Sequence, residues 1–206
     1  MATLQVFDTE GKKVSELEPP PAVIGGPVRK TLLWETVKMQ RANRRKGTAS
    51  TKTRGQIAGS TRKIYRQKGS GNARHGDIKA PIFVGGGRVW GPHPRDYSYR
   101  LPRKARQNAL KSALTLKFKE GKLKVVQAFD LKEIKTKKAA QFFQKIEAPE
   151  ALLIIEAKNL TVEKSIRNLP HHKVLRVEGI NVYDLLNYDQ VIVTEPALKK
   201  IEEMMQ

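Results

Sequence analysis

Arginine and lysine crowd one third of this sequence, and their side chains are suited to binding phosphate groups. Residues 40–106, which we call the basic segment, contain 18 basic residues and only two acids, Asp77 and Asp96. This segment of 67 residues therefore carries +16 of the formal net charge of +20. Arginine can donate two parallel hydrogen bonds to a phosphate and can stack on a base. The composition predicts a polyanionic partner, with nucleic acid as the leading candidate.

Glycine and aromatic residues are interleaved with these cations. Ten of the fifteen glycines lie in the basic segment, where the missing side chain lets the backbone approach a partner closely. Tyr65, Trp90, Tyr97 and Tyr99 offer flat faces on which unpaired bases can stack. Large aliphatic residues are sparse, so the segment cannot bury enough apolar surface to offset its own chain entropy. We expect it to be ordered by its partner.

The choice between RNA, DNA and a membrane surface rests on the pattern around the charge. The sequence contains no helix-turn-helix, zinc-finger or basic-zipper signature. The charge does not lie on an amphipathic helix, which a membrane-surface site would need. A long irregular segment suits the folded interior of a large RNA better than a regular duplex. RNA binding is the first hypothesis, and a DNA-compacting protein is kept as an alternative.

Catalytic and metal-binding residue types show no matching pattern. Gly69 and Gly71 begin a phosphate-loop motif, but Arg74 takes the place of the third glycine and no strand is predicted before it. The four histidines lack metal-ligand spacing, and there is no cysteine. Asp77 and Asp96 are expected to pair with arginine, for example Arg74 or Arg95. We predict no catalytic residue, metal or cofactor, and keep an enzyme that binds a nucleotide at its sheet edge as the second alternative.

Periodicity outside residues 47–102 predicts an α/β fold. Strands and helices alternate after residue 103, which indicates a parallel sheet flanked by helices in a three-layer, Rossmann-like topology. Residues 47–102 show no sustained period, so we predict a long extended Arg/Gly-rich RNA-binding loop inserted into a globular domain formed by residues 1–46 and 103–206. Strands are predicted at 4–7, near 14, 123–128, 152–156, 174–177 and 191–194. Helices are predicted at 32–45 with Thr31 as its cap, 103–120, 136–146, 161–169, 182–186 and 196–205.

Targeting signals are not evident in the sequence. No apolar run approaches the ~20 residues that span a bilayer. The first ten residues contain two acids and no arginine, so neither a secretory signal nor an organelle transit peptide is predicted. The lack of cysteine fits a reducing, cytoplasmic setting.

Several motifs of the basic segment resemble those of a known family. Arg-Gln-Lys-Gly-Ser-Gly-Asn-Ala-Arg at 66–74, Pro-Ile-Phe-Val-Gly-Gly-Gly at 81–87 and Gly-Pro-His-Pro-Arg-Asp-Tyr at 91–97 resemble the bacterial type of the large-subunit ribosomal protein L-four family. Matches at 47–48, 52–54, 109–114, 168–170 and 179–184 extend the resemblance over essentially the whole chain. The chain has Ile64-Tyr65 where the family commonly has Pro-Trp, and Asn72 where it has arginine. Tyr65 keeps an aromatic ring at this place.

The resemblance implies a structural constituent of the large ribosomal subunit in the cytoplasm, and not an enzyme. It implies an α/β domain on the outer side of the subunit, and a loop that threads into ribosomal RNA and reaches the nascent-polypeptide exit tunnel. It also implies an early role in subunit assembly. The implied partners are several domains of the large-subunit (23S-type) RNA, neighbouring large-subunit ribosomal proteins and the nascent peptide, with no membrane.

The candidate RNA-binding residues are the cations of the basic segment and the polar and aromatic residues between them. They are Arg41, Arg44, Arg45, Lys46, Lys52, Arg54, Arg62, Lys63, Tyr65, Arg66, Gln67, Lys68, Arg74, His75, Lys79, Arg88, Trp90, Arg95, Tyr97, Arg100, Arg103, Lys104 and Arg106. Halving the predicted loop places its turn near Arg74. By resemblance, the loop tip in the exit tunnel comprises Arg62, Lys63, Tyr65, Arg66, Lys68 and Arg74.

Overall fold

The computed structural model describes residues 3–131 and 133–205 and divides them into two compact units. One unit, which we call the glycine-rich unit, is Ala42–Tyr99. The other, the α/β unit, comprises the described residues up to Arg41 and from Arg100 onward. The helices and strands of the described residues lie in the α/β unit, except that the first helix extends two residues further.

The α/β unit is built from six strands and six α helices among its described residues. The strands are β1 (Leu4–Phe7), β2 (Lys13–Leu17), β3 (Leu123–Val126), β4 (Ala151–Ile155), β5 (His172–Arg176) and β6 (Gln190–Thr194). The helices are α1 (Lys30–Asn43), α2 (Arg103–Lys119), α3 (Thr136–Lys145), α4 (Leu160–Ile166), α5 (Val182–Asn187) and α6 (Glu195–Met205). Each predicted element is found within a few residues of its expected bounds, although α1 begins before the expected cap, Thr31. None of the helices in the described ranges is both long and apolar enough to cross a bilayer.

The six strands form one mixed sheet in the order β2-β1-β3-β6-β4-β5. All neighbours pair in parallel except β1 and β2, which are antiparallel. The prediction of a parallel sheet is therefore corrected at one edge. The reason is a tight turn, in which Asp8 N donates to Lys12 O and Gly11 has a φ of +79°, because so short a connection can join only antiparallel strands. The strand order differs from that of dinucleotide-binding folds, so the Rossmann-like label is not confirmed.

Helices cover both faces of the sheet, as predicted. Every residue of β4 is buried, and its side chains alternate between two hydrophobic clusters. Leu152 and Ile154 pack in the cluster that contains α1, α2, α5 and α6, whereas Leu153 and Ile155 pack in the cluster that contains α3 and α4. A strand that is buried on both faces has a continuous run of apolar residues, which is why β4 could be predicted as a strand from its sequence. Along the chain, α1 leads into the glycine-rich unit and α2 follows it.

Candidate nucleic-acid interface

The glycine-rich unit is organised by hydrogen bonds that join its first half to its second half. No strand is formed here among the described residues, yet the bonded partners approach each other steadily along the sequence. The bonds join residue 43 to 99, 47 to 95, 51 to 92, 52 to 88, 64 to 76 and 65 to 73. The two halves therefore run antiparallel and reverse direction between Tyr65 and Ala73.

The position of this reversal corrects the prediction of a turn near Arg74. Gly69 and Gly71 lie inside it with φ values of +78° and +71°, a backbone region that glycine enters without a steric penalty. Halving the segment failed because the second half contains an additional folded stretch. There Ala80 N donates to Asp77 O, and Gly87 N donates to Lys79 O. This stretch lengthens the second half and moves the midpoint of the sequence away from the turn.

Glycine allows the two halves to approach more closely than any other residue would. A Cβ added to Gly47 would overlap the carbonyl oxygen of Arg95, and one added to Gly91 would overlap Oγ1 of Thr51. Gly47 also has a φ of +61°. The expectation that glycine serves close approach holds here within the chain itself, between its own two halves.

Two predicted RNA-binding arginines hold the ring of Tyr97. The guanidinium carbon of Arg45 lies 3.8 Å from the ring centre, and that of Arg95 lies 4.4 Å away, both within the range of a cation–π contact. A hydrogen bond from Arg95 and the charges of Arg95 and Arg45 lower the pKa of the Tyr97 phenol. Both arginines remain exposed, so their guanidinium edges can also donate to an anion.

The two acids of the basic segment do not pair with arginine as expected. Asp96 accepts hydrogen bonds from the hydroxyl and backbone N–H of Ser98, at 2.6 and 2.8 Å, and these two bonds lower its pKa. Within the described ranges, neither Asp96 nor Asp77 forms an ion pair. Local hydrogen bonds in the turn after Asp96 satisfy the carboxylate without a cation.

Side chains of the turn divide into those that hold it together and those that are free. Lys63 donates to Oε1 of Gln67 at 2.7 Å and to the carbonyl of His75 at 3.4 Å. Arg66 donates to the carbonyl of Gly69 at 2.9 Å, and the hydroxyl of Tyr65 donates to the carbonyl of Ala73. These three predicted tip residues therefore stabilise the shape of the turn through hydrogen bonds within the chain.

Arg62, Lys68 and Arg74 are the free cations of the turn. All three are exposed, and their side chains form no hydrogen bond or ion pair with any residue of the described part of the chain. Their charges are thus directed to solvent or to a partner, as a phosphate-binding side chain requires.

Trp90 and the remaining candidates are also accessible. Trp90 is 99% exposed and has a φ of +52°, an uncommon conformation for a bulky residue. His75 packs edge-on between Tyr65 and Phe83, and Lys79 is half-buried. The other exposed candidates are Arg41, Arg44, Lys46, Lys52, Arg54, Gln67, Arg88 and Lys104.

The α/β unit contains five of the predicted RNA-binding residues and brings three of them together. Arg100, Arg103 and Arg106 line one cleft together with Thr36 and Met39. The last two residues lie on α1 and were not identified from the sequence, because an apolar or small side chain on a helix face carries no binding signal by itself. No cluster of potential metal ligands occurs within the described ranges.

We expect Gly47→Ala to raise the pKa of Tyr97 toward its ordinary value. The new methyl group would force apart Gly47 and Arg95, and Arg95 is the main cause of the lowered pKa. A titration of the tyrosine rings by NMR measures the effect. Gly71→Ala is the matched control, since its φ is also positive but nothing lies within 4 Å of the added Cβ. Both alanines cost about 1–2 kcal/mol of backbone strain, so equal titration of Tyr97 in the two variants would contradict the role given to close approach.

Known proteins are similar to this chain over its whole length. The family model described as "Ribosomal protein L4/L1 family" matches residues 17–204. A protein of Desulforudis audaxviator named "Large ribosomal subunit protein uL4" is 50% identical over 206 residues, which is all of both chains. Proteins of the same name from Syntrophus aciditrophicus and Geotalea daltonii are 46% and 43% identical, over 98% and 100% of this chain and 93% and 100% of their own.

Proposed function

Because the chain belongs to the ribosomal protein L4/L1 family, we propose that its basic segment binds large-subunit (23S-type) ribosomal RNA and that its glycine-rich turn lines the nascent-polypeptide exit tunnel. Membership makes the chain a structural, non-enzymatic component of the large ribosomal subunit in the cytoplasm. The predictions of a non-enzymatic protein and of this family are thereby confirmed.

The observation that carries the RNA proposal is the exposure of the cations. Sixteen of the 18 basic side chains of the basic segment are exposed. Because only two carboxylates, Asp77 and Asp96, accompany these like charges, the free energy falls when RNA phosphates replace their counterions. Folded RNA domains present many phosphates close together, so they can neutralise many of these cations at once. Trp90, fully exposed on a strained backbone, is a stacking position for an unpaired base.

The domain organisation that we propose follows from the predicted boundaries. Residues 47–102 act as the RNA-binding loop, and residues 1–46 and 103–206 act as the globular domain that anchors it. The separate contacts of Ala42–Tyr99 support this division. By binding several RNA domains with one loop, the chain would join them early in subunit assembly, next to other large-subunit proteins.

The tip that we propose for the exit tunnel is the turn around Gly69 and Gly71. Arg62, Lys68 and Arg74 contact RNA phosphates or the nascent peptide, while Lys63, Tyr65 and Arg66 fix the shape of the turn. A positive wall at this place favours acidic over basic nascent segments.

We expect binding of the chain to a large-subunit RNA fragment to weaken steeply with salt. If half of the 18 cations contact phosphates, the affinity should fall on the order of 10³- to 10⁵-fold between ~50 and ~200 mM salt. Filter binding across a salt series measures the slope, and duplex DNA of similar length is the competitor. A flat dependence contradicts the proposed function, and equal competition by duplex DNA favours the DNA-compacting alternative.

A further inference from the structure

A cleft in the α/β unit lies where α1 and α2 face α5 and the end of α6. Its volume is about 540 Å³, within the range of about 300–1,000 Å³ that small-molecule sites occupy. Arg100, Arg103 and Arg106 line it, and none of the described residues contributes a carboxylate to it. Three positively charged arginines around a concave surface create a positive potential inside it.

Two polar atoms in this cleft have no hydrogen-bond partner within the described residues. Thr36 is only 3% exposed, and its Oγ1 is buried without a partner. Nε of Arg106 is also buried and unpartnered. A buried polar group without a partner costs free energy, and a bound group that formed hydrogen bonds to both atoms would remove this cost.

The start of α2 adds to the positive potential. Pro102 precedes this helix of 17 residues and gives it no side-chain cap, and its first turn contains no acid. The partial positive charge at the N-terminus of the helix is therefore not compensated by its own residues. Arg103 and Arg106, which line the cleft, lie in the first turns of the same helix.

Part of the remaining wall of the cleft is apolar and flexible, beside the polar side chains of Gln40, Gln107 and Asn181. Met39 and Met205 are buried, Met204 is 43% exposed, and Leu110 lies beside them. Methionine is flexible and makes favourable contacts between its sulfur and aromatic rings. An anion alone would gain nothing from this wall, whereas a planar base would.

We propose that this cleft binds one unstacked nucleotide of the ribosomal RNA, with its phosphate on the arginines and its base against the methionines. The proposal rests on the proposed function, because it requires RNA to be the partner. Protein sites for single-stranded RNA combine these two elements, cations for the phosphate and a flat or apolar surface for the base. Rotation of the Thr36 and Arg106 side chains toward the nucleotide would then let Thr36 Oγ1 and Arg106 Nε bond to its polar atoms.

The methionines supply a local readout of this binding. Three of the four methionines of the chain line the cleft, so methyl-labelled methionine in the full chain reports on it by NMR. We expect a short single-stranded RNA and adenosine monophosphate to shift the methyl signals of Met39, Met204 and Met205 through the ring current of the base. Inorganic phosphate, which has no ring, should leave these methyl signals nearly unshifted.

A matched pair of variants tests the arginines. Arg103→Gln should weaken binding of the short RNA to the cleft about tenfold, because it removes a charge-assisted contact. Arg167→Gln removes the same charge from an exposed arginine that lies outside both the cleft and the basic segment. It should weaken the same binding less than about twofold. An unchanged methyl spectrum in the absence of RNA shows that each variant is folded.

The outcomes separate this proposal from the proposed function. Salt-dependent binding of a ribosomal RNA fragment with unshifted methyl signals overturns the cleft proposal alone. Absence of any binding to that fragment overturns the proposed function and the cleft proposal with it. If inorganic phosphate displaces adenosine monophosphate and shifts the methyl signals as much as adenosine monophosphate does, the cleft binds only the phosphate. The proposed site for the base is then wrong. If adenosine monophosphate binds more tightly than the short RNA, the cleft takes a free nucleotide and the RNA assignment is wrong.

Discussion

A chain in which a short flexible link replaces residues 47–102 is expected to fold and to lose nearly all of its specific affinity for large-subunit ribosomal RNA. Both hydrophobic clusters of the described residues are complete without the glycine-rich unit, since neither contains a residue of Ala42–Tyr99. The α/β unit therefore keeps its core. The affinity should fall on the order of 10³-fold, the lower bound of the usual gap between specific and non-specific binding. Calorimetry and filter binding measure the two effects.

The control for this deletion is a variant that keeps the length of the chain. Replacing Arg62, Lys68 and Arg74 with glutamine retains the loop and removes only the free cations of its turn, so this variant should lose less affinity than the deletion. A deletion variant without a cooperative thermal transition would show that the α/β unit depends on the glycine-rich unit. A deletion variant that still binds the RNA tightly would show that the contacts lie elsewhere.

The charge reversal Lys68→Glu is expected to disturb the exit tunnel without unfolding the protein. Lys68 is exposed, forms no bond within the described residues and lies between Tyr65 and Ala73, where the chain reverses. A carboxylate at this place adds repulsion from RNA phosphates as well as removing an attraction. Ribosomes that carry the variant should show altered chemical reactivity of the tunnel RNA and altered binding of macrolide antibiotics.

Lys138→Glu is the matched control for this reversal. Lys138 is exposed on α3, outside the basic segment, and the same change of charge there should leave the tunnel unaltered. Incorporation of both variants into subunits is checked by sedimentation. If fully incorporated Lys68→Glu ribosomes match the Lys138→Glu control in both tests, Lys68 is not a tip contact.

Much of the α/β fold was predictable because its elements are locally determined. The all-apolar run of β4, Ala151–Ile155, and the apolar stripe of α2, Arg103–Lys119, carry their structure in their own periodicity. Asn159 caps α4 by accepting from the backbone N–H groups of Thr161 and Val162, so the start of this helix is also encoded nearby. The antiparallel β2 was found as a strand, but its orientation depends on the turn that precedes it.

The candidate site was predictable in composition but not in arrangement. The sequence identified the cations, but hydrogen bonds between distant residues decide which of them shape the turn and which are free. Lys63 donates a hydrogen bond to the carbonyl of His75, a residue twelve positions away, and no local sequence pattern predicts this bond. The expected pairing of Asp96 with arginine was wrong for a different reason, since the hydroxyl of Ser98, only two residues away, donates a hydrogen bond to this carboxylate.

The sequence by itself determined the charge, the alternation of strands and helices, and the family, because each is a property of residue types in order. Only the tertiary structure decided where the glycine-rich unit turns, which arginines hold Tyr97, and that Arg100, Arg103 and Arg106 share a cleft with Thr36 and Met39. Apart from the contact of Arg95 with Tyr97, these features join residues that are far apart in sequence. Their formation depends on the closure of long loops and on the packing of helices from different parts of the chain, and a local pattern contains neither.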